Sequence, residues 1–411
     1  ASDLADKLKP VFEQTGDDIP VHQGEYYFEC HRGTYTSVAM IKRHNRLCEN
    51  RLVEAEIWSS AANLLANASY PTESLRQAWK LTLLNQFHDI LPGSSIPEVY
   101  VDADKDAWDA LVRCDQAFTE ATETLSETGD QLMVVNSLSH EVDGLVELPE
   151  DCESDAVQKL ETPDGETHHY AKSGSLEPWS ISPLQPTTPN YEAFYWTNDY
   201  LETPYWKVTF DSMHLGRIVT LFDRINRRQV ASGALNDFQC FHDKPAGCEA
   251  WEVDEESYAK PATVFERVSM EVVANGPLIF VVRFKYQGDR SEMVQDVRFY
   301  ADSPRIDFVT WVDWHERRKL LKVAFPLKIN CVESMAETAY GWQPRPMTRD
   351  DEAQRAMFET PMHRWVALSE DDYGVALLND GKYGYDGLGD TLRLTLLKSP
   401  GYAQLMNDPK H

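Results

Sequence analysis

The hydrophobic period of this chain changes once, near Gly129, and the switch restricts the fold more than any other feature of the sequence. Before it, apolar residues recur every three or four positions; after it, they recur every second one. From Thr36 to about Asn67 the residues Val38, Ile41, Cys48, Leu52, Ala55, Ala62 and Leu65 fall near one helical face. Pro71 and Thr72 break and cap, and a second helix is expected from about Glu73 to His88. Pro92-Gly93 stops it, and Ser95 with Glu98 three residues on has the spacing of a capping box. A third helix follows, with Tyr100, Ala103, Ala107, Leu111, Cys114, Phe118, Ala121 and Leu125 on one face. Short turns between three such helices predict an antiparallel three-helix bundle over 38–130.

Beyond Gly129 the pattern predicts strands. Met133–Asn136 and Leu145–Leu148 are expected to flank a turn at Asp143-Gly144, Asn275-Gly276 joins two strand-like runs, and Ile306 to Trp314 reads as one long strand. Leu392, Leu394 and Leu396 alternate with Thr391, Arg393 and Thr395, the pattern of a half-buried strand. Residues 150 to 195, rich in Pro, Ser, Thr and Glu, read as a long surface excursion, and Gly384 to Gly389 as a plain turn. The expected fold class is multidomain, α then β, with 131–411 a large antiparallel β-sandwich. Glu25–Cys30 is strand-like with no partner strand before it, so 1–37 reads as the edge of another unit.

A chain of 411 residues is long enough for two or three domains at roughly 150 residues each. Its net charge of −28 repels phosphates, and the one short basic run, Arg317-Arg318-Lys319, follows Glu316, so nucleic acid and anionic membranes are excluded as partners. No apolar run reaches membrane length, and Ala1–Lys7 lacks a basic-then-apolar leader. Seven cysteines, at 30, 48, 114, 152, 240, 248 and 331, form no CxxC, which points to unpaired thiols in a reducing, cytoplasmic compartment. Cys240 and Cys248 are the one pair close in sequence, as incidental thiols or as a pair. Assembly into a homo-oligomer is left open.

Searching for complete catalytic signatures returns absences: no HExxH, GxSxG, P-loop or GxGxxG. His168-His169 lies in the polar excursion without further ligands nearby in sequence, and His315-Glu316 ends a strand, where structural hydrogen bonds are expected. The remaining candidates stand in Asn85-Gln86-Phe87-His88-Asp89-Ile90-Leu91-Pro92-Gly93-Ser94-Ser95. One reading of His88 and Asp89 is a histidine favoured by the helix C-terminal dipole beside a turn aspartate. The other is an imidazole ligand to zinc and a carboxylate that accepts hydrogen bonds from a polar substrate. One imidazole and one carboxylate are too few for a whole metal site.

Residues 85–95 resemble the motif that closes the catalytic site of glycoside hydrolase family 38 α-mannosidases, especially their cytosolic and bacterial branch. Other segments are similar in family order: Gly24–Ser37 with His31-Arg32-Gly33-Thr34-Tyr35-Thr36, Lys42–Arg46, Val135–Ser139, Tyr205–Phe210, Ala250–Asp254, Asp313–Glu316 and Tyr373–Asp380. The resemblance covers nearly the whole chain. It departs at Glu249, where aspartate is expected, at Gly381, where cysteine is common, and at Thr203, where asparagine is usual.

The resemblance implies a zinc-dependent, retaining hydrolysis of terminal α-linked mannose in oligosaccharides, performed by a longer protein. Its barrel-like N-terminal domain, of which only 24–37 is matched, would carry the nucleophile, the acid/base carboxylate and the other metal ligands, so no catalytic residue is expected in this chain. His88 would supply one ligand to Zn2+, Asp89 would bind mannose hydroxyls, and Arg32 would either bind substrate or hold a structural salt bridge. The β-region would be galactose-mutarotase-like and would be expected to continue past His411. A second reading is a non-catalytic carbohydrate-binding or scaffold relic of such an enzyme, to be told apart by the reading frame upstream of Ala1.

Overall fold

The computed structural model of the chain describes residues 2–18, 21, 23–126, 131–149, 157–184, 192–211, 216–262 and 265–401. Cys152 and the end of the chain past 401 lie outside the described residues. The order is helices first and antiparallel strands after, as the period switch predicts.

Four helices open the chain: α1 (Ser2–Thr15), α2 (Ala39–Ala66), α3 (Thr72–Asn85) and α4 (Pro97–Leu125). Helix α1 is unforeseen in the sequence reading, and it exposes Leu4, Leu8, Val11 and Phe12. The other three share one core. Contacts Gln86 to Asn45 and Trp79 to Glu56 show α3 returning along α2, while Cys48 to Ala107 and Arg51 to Asp115 show α4 running with α2. Leu52, Ala55, Ala78, Ala107, Ala110 and Cys114 close this core, nearly all of them small side chains. Small residues at the contact let the helix axes approach closely, so dispersion rather than side-chain bulk does the holding. The expected face of α2 is buried at Ile41, Cys48, Leu52, Ala55 and Ala62, but Leu65 is exposed, because the helix ends one residue later at an Asn67 in the left-handed region (φ 57).

Every strand pairing in the described residues is antiparallel. One four-stranded sheet runs through Glu266–Asn275, Ile279–Gln287, Glu292–Tyr300 and Ile306–Asp313 in sequence order, so the Asn275-Gly276 hairpin and the long strand from Ile306 both form. Its inner face, with Phe280, Phe284, Tyr286 and Phe299, packs against Phe210, Ile218, Leu321, Leu392 and Met362 of the neighbouring sheets. Burying each such aromatic or aliphatic side chain stabilises the fold by about 1.5–3 kcal/mol.

Several expectations are corrected. The excursion at 150–195 carries strands Gln158–Glu161, Thr167–Leu176 and Ser180–Pro183. Asp143-Gly144 makes no turn: Val142–Leu148 is one strand with a register shift there, paired to Thr167–Leu176, while Met133–Asn136 pairs with Ser180–Pro183. Gly384–Leu388 is a strand rather than a turn. No strand forms at Glu25–Cys30, because no strand among the described residues offers it a ladder; side chains hold it instead, with Glu25 on Arg345 at 2.9 Å and the Tyr27 hydroxyl donating to the Glu359 carbonyl at 2.6 Å.

Candidate functional site at the helix–strand seam

Helix α3 ends at Asn85, and the chain then descends through consecutive turns to Ser94 before α4 begins. Ile90 and Leu91 amides donate back to the Phe87 carbonyl, and Gly93 to Ile90. His88 therefore lies past the helix end, on a turn, with its side chain 77% exposed and its Nε2 3.7 Å from Asp89 Oδ2. At that separation the imidazole nitrogen and the carboxylate oxygen face each other without a hydrogen bond. The Phe87 ring lies 4.2 Å from the imidazole, centroid to centroid, and shields one side of it.

The capping box does not form. Ile96 is the N-cap of α4 with Pro97 at its first turn, one residue later than Ser95 would require. The Ser95 hydroxyl is taken by the Asp89 carbonyl at 2.8 Å, and the Ser95 amide donates to the Tyr100 hydroxyl at 2.9 Å. Both bonds turn the start of α4 into a clamp on the site rather than a cap on the helix.

Gly93 fixes where the corner sits. Its φ is +83, and a Cβ there would overlap the Ser37 carbonyl, so only glycine fits. Ser37 is itself fully buried and held from three sides: its amide donates to the Gly33 carbonyl at 2.9 Å, its hydroxyl donates to the Ala250 carbonyl at 2.7 Å, and its carbonyl accepts from the Lys42 ammonium. The segment 31–37 is pinned in turn, with the Gly33 amide on the Trp251 carbonyl at 2.8 Å and the His31 amide on the Glu252 carboxylate at 3.0 Å. The motifs at 31–37, 42–46, 85–95 and 250–254 thus converge around Ser37, although they are far apart in sequence.

Arg32 is buried, and its guanidinium is engaged within the chain. Nε donates to the Tyr27 hydroxyl at 3.0 Å, one terminal nitrogen to the Glu29 carbonyl and the other to the Ala356 carbonyl at 2.8 Å, with the Phe358 ring 4.4 Å below. The remaining candidates are apart from the corner. His168 Nδ1 lies 2.6 Å from Glu147, His315 Nε2 2.8 Å from Asp313, and Glu316 accepts from the Arg290 amide at 3.0 Å, all local contacts. Cys240 is buried and Cys248 exposed, both as free thiols.

The three departures from the family pattern are accommodated by packing. Glu249 pairs with Arg318 at 2.9 Å, Thr203 accepts from the Trp206 amide at 2.9 Å, and Gly381 (φ +111) would place a Cβ 2.8 Å from the Arg43 backbone. None touches His88 or Asp89.

Residues 29–125 match the family model described as "Alpha mannosidase middle domain", and residues 201–409 match "Glycosyl hydrolases family 38 C-terminal domain". The chain belongs to glycoside hydrolase family 38. Among curated relatives of this family member, Alpha-mannosidase 2C1 of Mus musculus is 33% identical, over 96% of this chain and 38% of the relative. Alpha-mannosidase G of Dictyostelium discoideum is 31% identical over 92% of this chain and 39% of its own length. The crystal structure of an alpha-mannosidase from Enterococcus faecalis V583 superposes with a TM-score of 0.75 at 17% identity, over 96% of this chain and 55% of that one, and so shares its fold. The family member in hand thus spans well under half the length of the curated relatives it matches.

A zinc ion fits this corner only in part. His88 offers an exposed imidazole with no hydrogen bond among the described residues, yet no group of three or more His, Cys, Asp or Glu in those residues converges on a metal position. A zinc site takes three or four such donors, so the described residues can contribute to one and do not complete it.

Proposed function

We propose that this chain is the middle and C-terminal part of an α-mannosidase that removes terminal α-linked mannose from oligosaccharides with retention of configuration. The observation that carries the reading is the His88–Asp89 corner: two functional side chains left exposed on a turn whose backbone is locked by Gly93, Ser95, Tyr100 and Ser37. A surface turn whose histidine makes no hydrogen bond among the described residues has no structural need of such fixing.

In this reading His88 is one zinc ligand, and the remaining ligands and both catalytic carboxylates lie on the part of the relatives' length that this chain does not span. Zinc, when bound, would supply Lewis-acid contact to vicinal sugar hydroxyls. Asp89 accepts hydrogen bonds from mannose hydroxyls and holds the ring against the reacting centre. To Arg32 we assign a structural role, made by hydrogen bonds and a ring contact rather than by the expected salt bridge, since they tie segment 24–37 to Ala356 and Phe358. A neutral sugar needs no electrostatic steering, which suits a chain of net charge −28. The finer fold, a three-helix bundle followed by a galactose-mutarotase-like β-sandwich, belongs to this proposal and is supported by the two separate apolar cores. So does a cytoplasmic setting, supported by six free cysteines among the described residues.

The test is His88→Ala in the full-length protein, with zinc content and mannoside turnover measured together. Both are expected to fall, turnover by on the order of 100-fold or more. If neither changes, the site assignment is wrong. The 411-residue chain alone is expected to show no useful hydrolysis.

A further inference from the structure

We propose that Ser94 is the positioning residue for Asp89, fixing one edge of its carboxylate so that the other edge faces the substrate. The inference rests on the reading above, in which Asp89 receives mannose hydroxyls. Ser94 is 5% exposed, whereas the Asp89 side chain is 47% exposed, so one end of the pair is buried and the other open.

The assignment follows from counting acceptor sites. The Asp89 carbonyl has two lone pairs, and it already receives the Ser95 hydroxyl at 2.8 Å, the Ser94 amide at 3.2 Å and the Tyr100 hydroxyl at 3.3 Å. The Ser94 hydroxyl stands 3.3 Å from that crowded carbonyl and 3.2 Å from Asp89 Oδ1, which has no other donor among the described residues. Its single proton therefore belongs to Oδ1. Oδ2 is then directed outward, on the side of His88 Nε2 at 3.7 Å, where a ligand of both residues would sit. Ser94 itself cannot drift, because Gly93 beside it is seated on Ser37. A carboxylate held at one oxygen loses little rotational freedom when the other binds, which is how preorganisation raises affinity.

The experiment uses the full-length enzyme with Ser94→Ala, Ser94→Thr and Asp89→Ala, and reads KM and kcat on an aryl α-mannoside, bound zinc, and the thermal midpoint. Ser94→Ala is expected to raise KM about tenfold, with kcat changed by less than about threefold and zinc retained, and Ser94→Thr to restore most of the loss. Ser94→Cys, which keeps the volume but donates weakly, carries the test should the alanine variant fail to fold. An unchanged KM in Ser94→Ala or Ser94→Cys, while Asp89→Ala raises it, overturns the positioning role and leaves the function standing. An unchanged KM in Asp89→Ala removes the sugar contact on which the inference rests. A fall in zinc content equal to the fall in activity would show that Ser94 maintains the loop rather than the carboxylate.

Discussion

The molecule treats its buried lysines in two opposite ways. In the β-region, Lys322 is fully buried between Glu359 and Asp386 (2.8 Å), with Thr395 2.7 Å away and Arg393 on the far side of Asp386 at 2.8 Å. Burial alone pushes the Asp386 carboxyl up, but the charges of Lys322 and Arg393 outweigh it and hold it below the usual carboxylate range. At the seam between helices and strands, Lys42 and Lys382 have no carboxylate within ion-pair distance among the described residues; their ammonium groups meet the carbonyls of Ser37 and Leu396. Burial and the neighbouring amine push Lys42 well down, and burial pushes Lys382 down to about 8. Charge is matched at Lys322, and again where buried Lys398 meets Asp243, but left unmatched at Lys42 and Lys382.

Three substitutions can break or sharpen this contrast. Lys322→Met should cost the most, about 3–5 kcal/mol of unfolding free energy in urea titration, since it strands Glu359 in the interior and removes one of the two cations on Asp386. A loss under 1 kcal/mol would mean that the matched cluster does not hold the sheet. Gly93→Ala comes next, at about 2–4 kcal/mol, from a strained backbone and a clash with Ser37; a crystal structure of the variant should show the His88 turn displaced. The smallest effect is expected for Lys382→Met, a gain of about 1 kcal/mol at neutral pH. Because the folded value near 8 lies below the ordinary 10.5, the unfolded chain holds this proton more tightly, and stability from this group rises as pH increases from about 8 to 10.5. The advantage of the methionine variant should therefore shrink between pH 7 and pH 10. An advantage that grew with pH would contradict the assignment of an unmatched amine.

Much of this was legible in local pattern. The buried faces of α2 and α4 follow the three-and-four spacing of Cys48, Leu52 and Ala55, and of Ala103, Ala107 and Cys114. The Asn275-Gly276 hairpin and the strand from Ile306 follow from turn chemistry and alternation. What pattern hides is partnership at long range. Gly384 and Gly387 look like turn residues, yet they lie in a strand, and they are glycines because a Cβ would meet Glu359 at 2.6 Å and Thr36 at 2.9 Å in the first case, and the Met347 sulfur in the second. Local pattern places Leu145–Leu148 beside Met133–Asn136, whereas the strand Val142–Leu148 finds its partner in Thr167–Leu176, some twenty residues further on across a polar stretch. At the site, His88 and Asp89 stood out as residue types, whereas Ser37 did not, since a serine advertises nothing until Gly93 and Ala250 are seen on either side of it.

Ser37 touches the helical half through Gly93 and Lys42 and the strand half through Ala250. A chain whose two halves have each folded but have not yet closed on one another leaves the His88 turn without its seat. The geometry of the corner is then an outcome of assembly as well as of sequence, set only once the two halves have found each other.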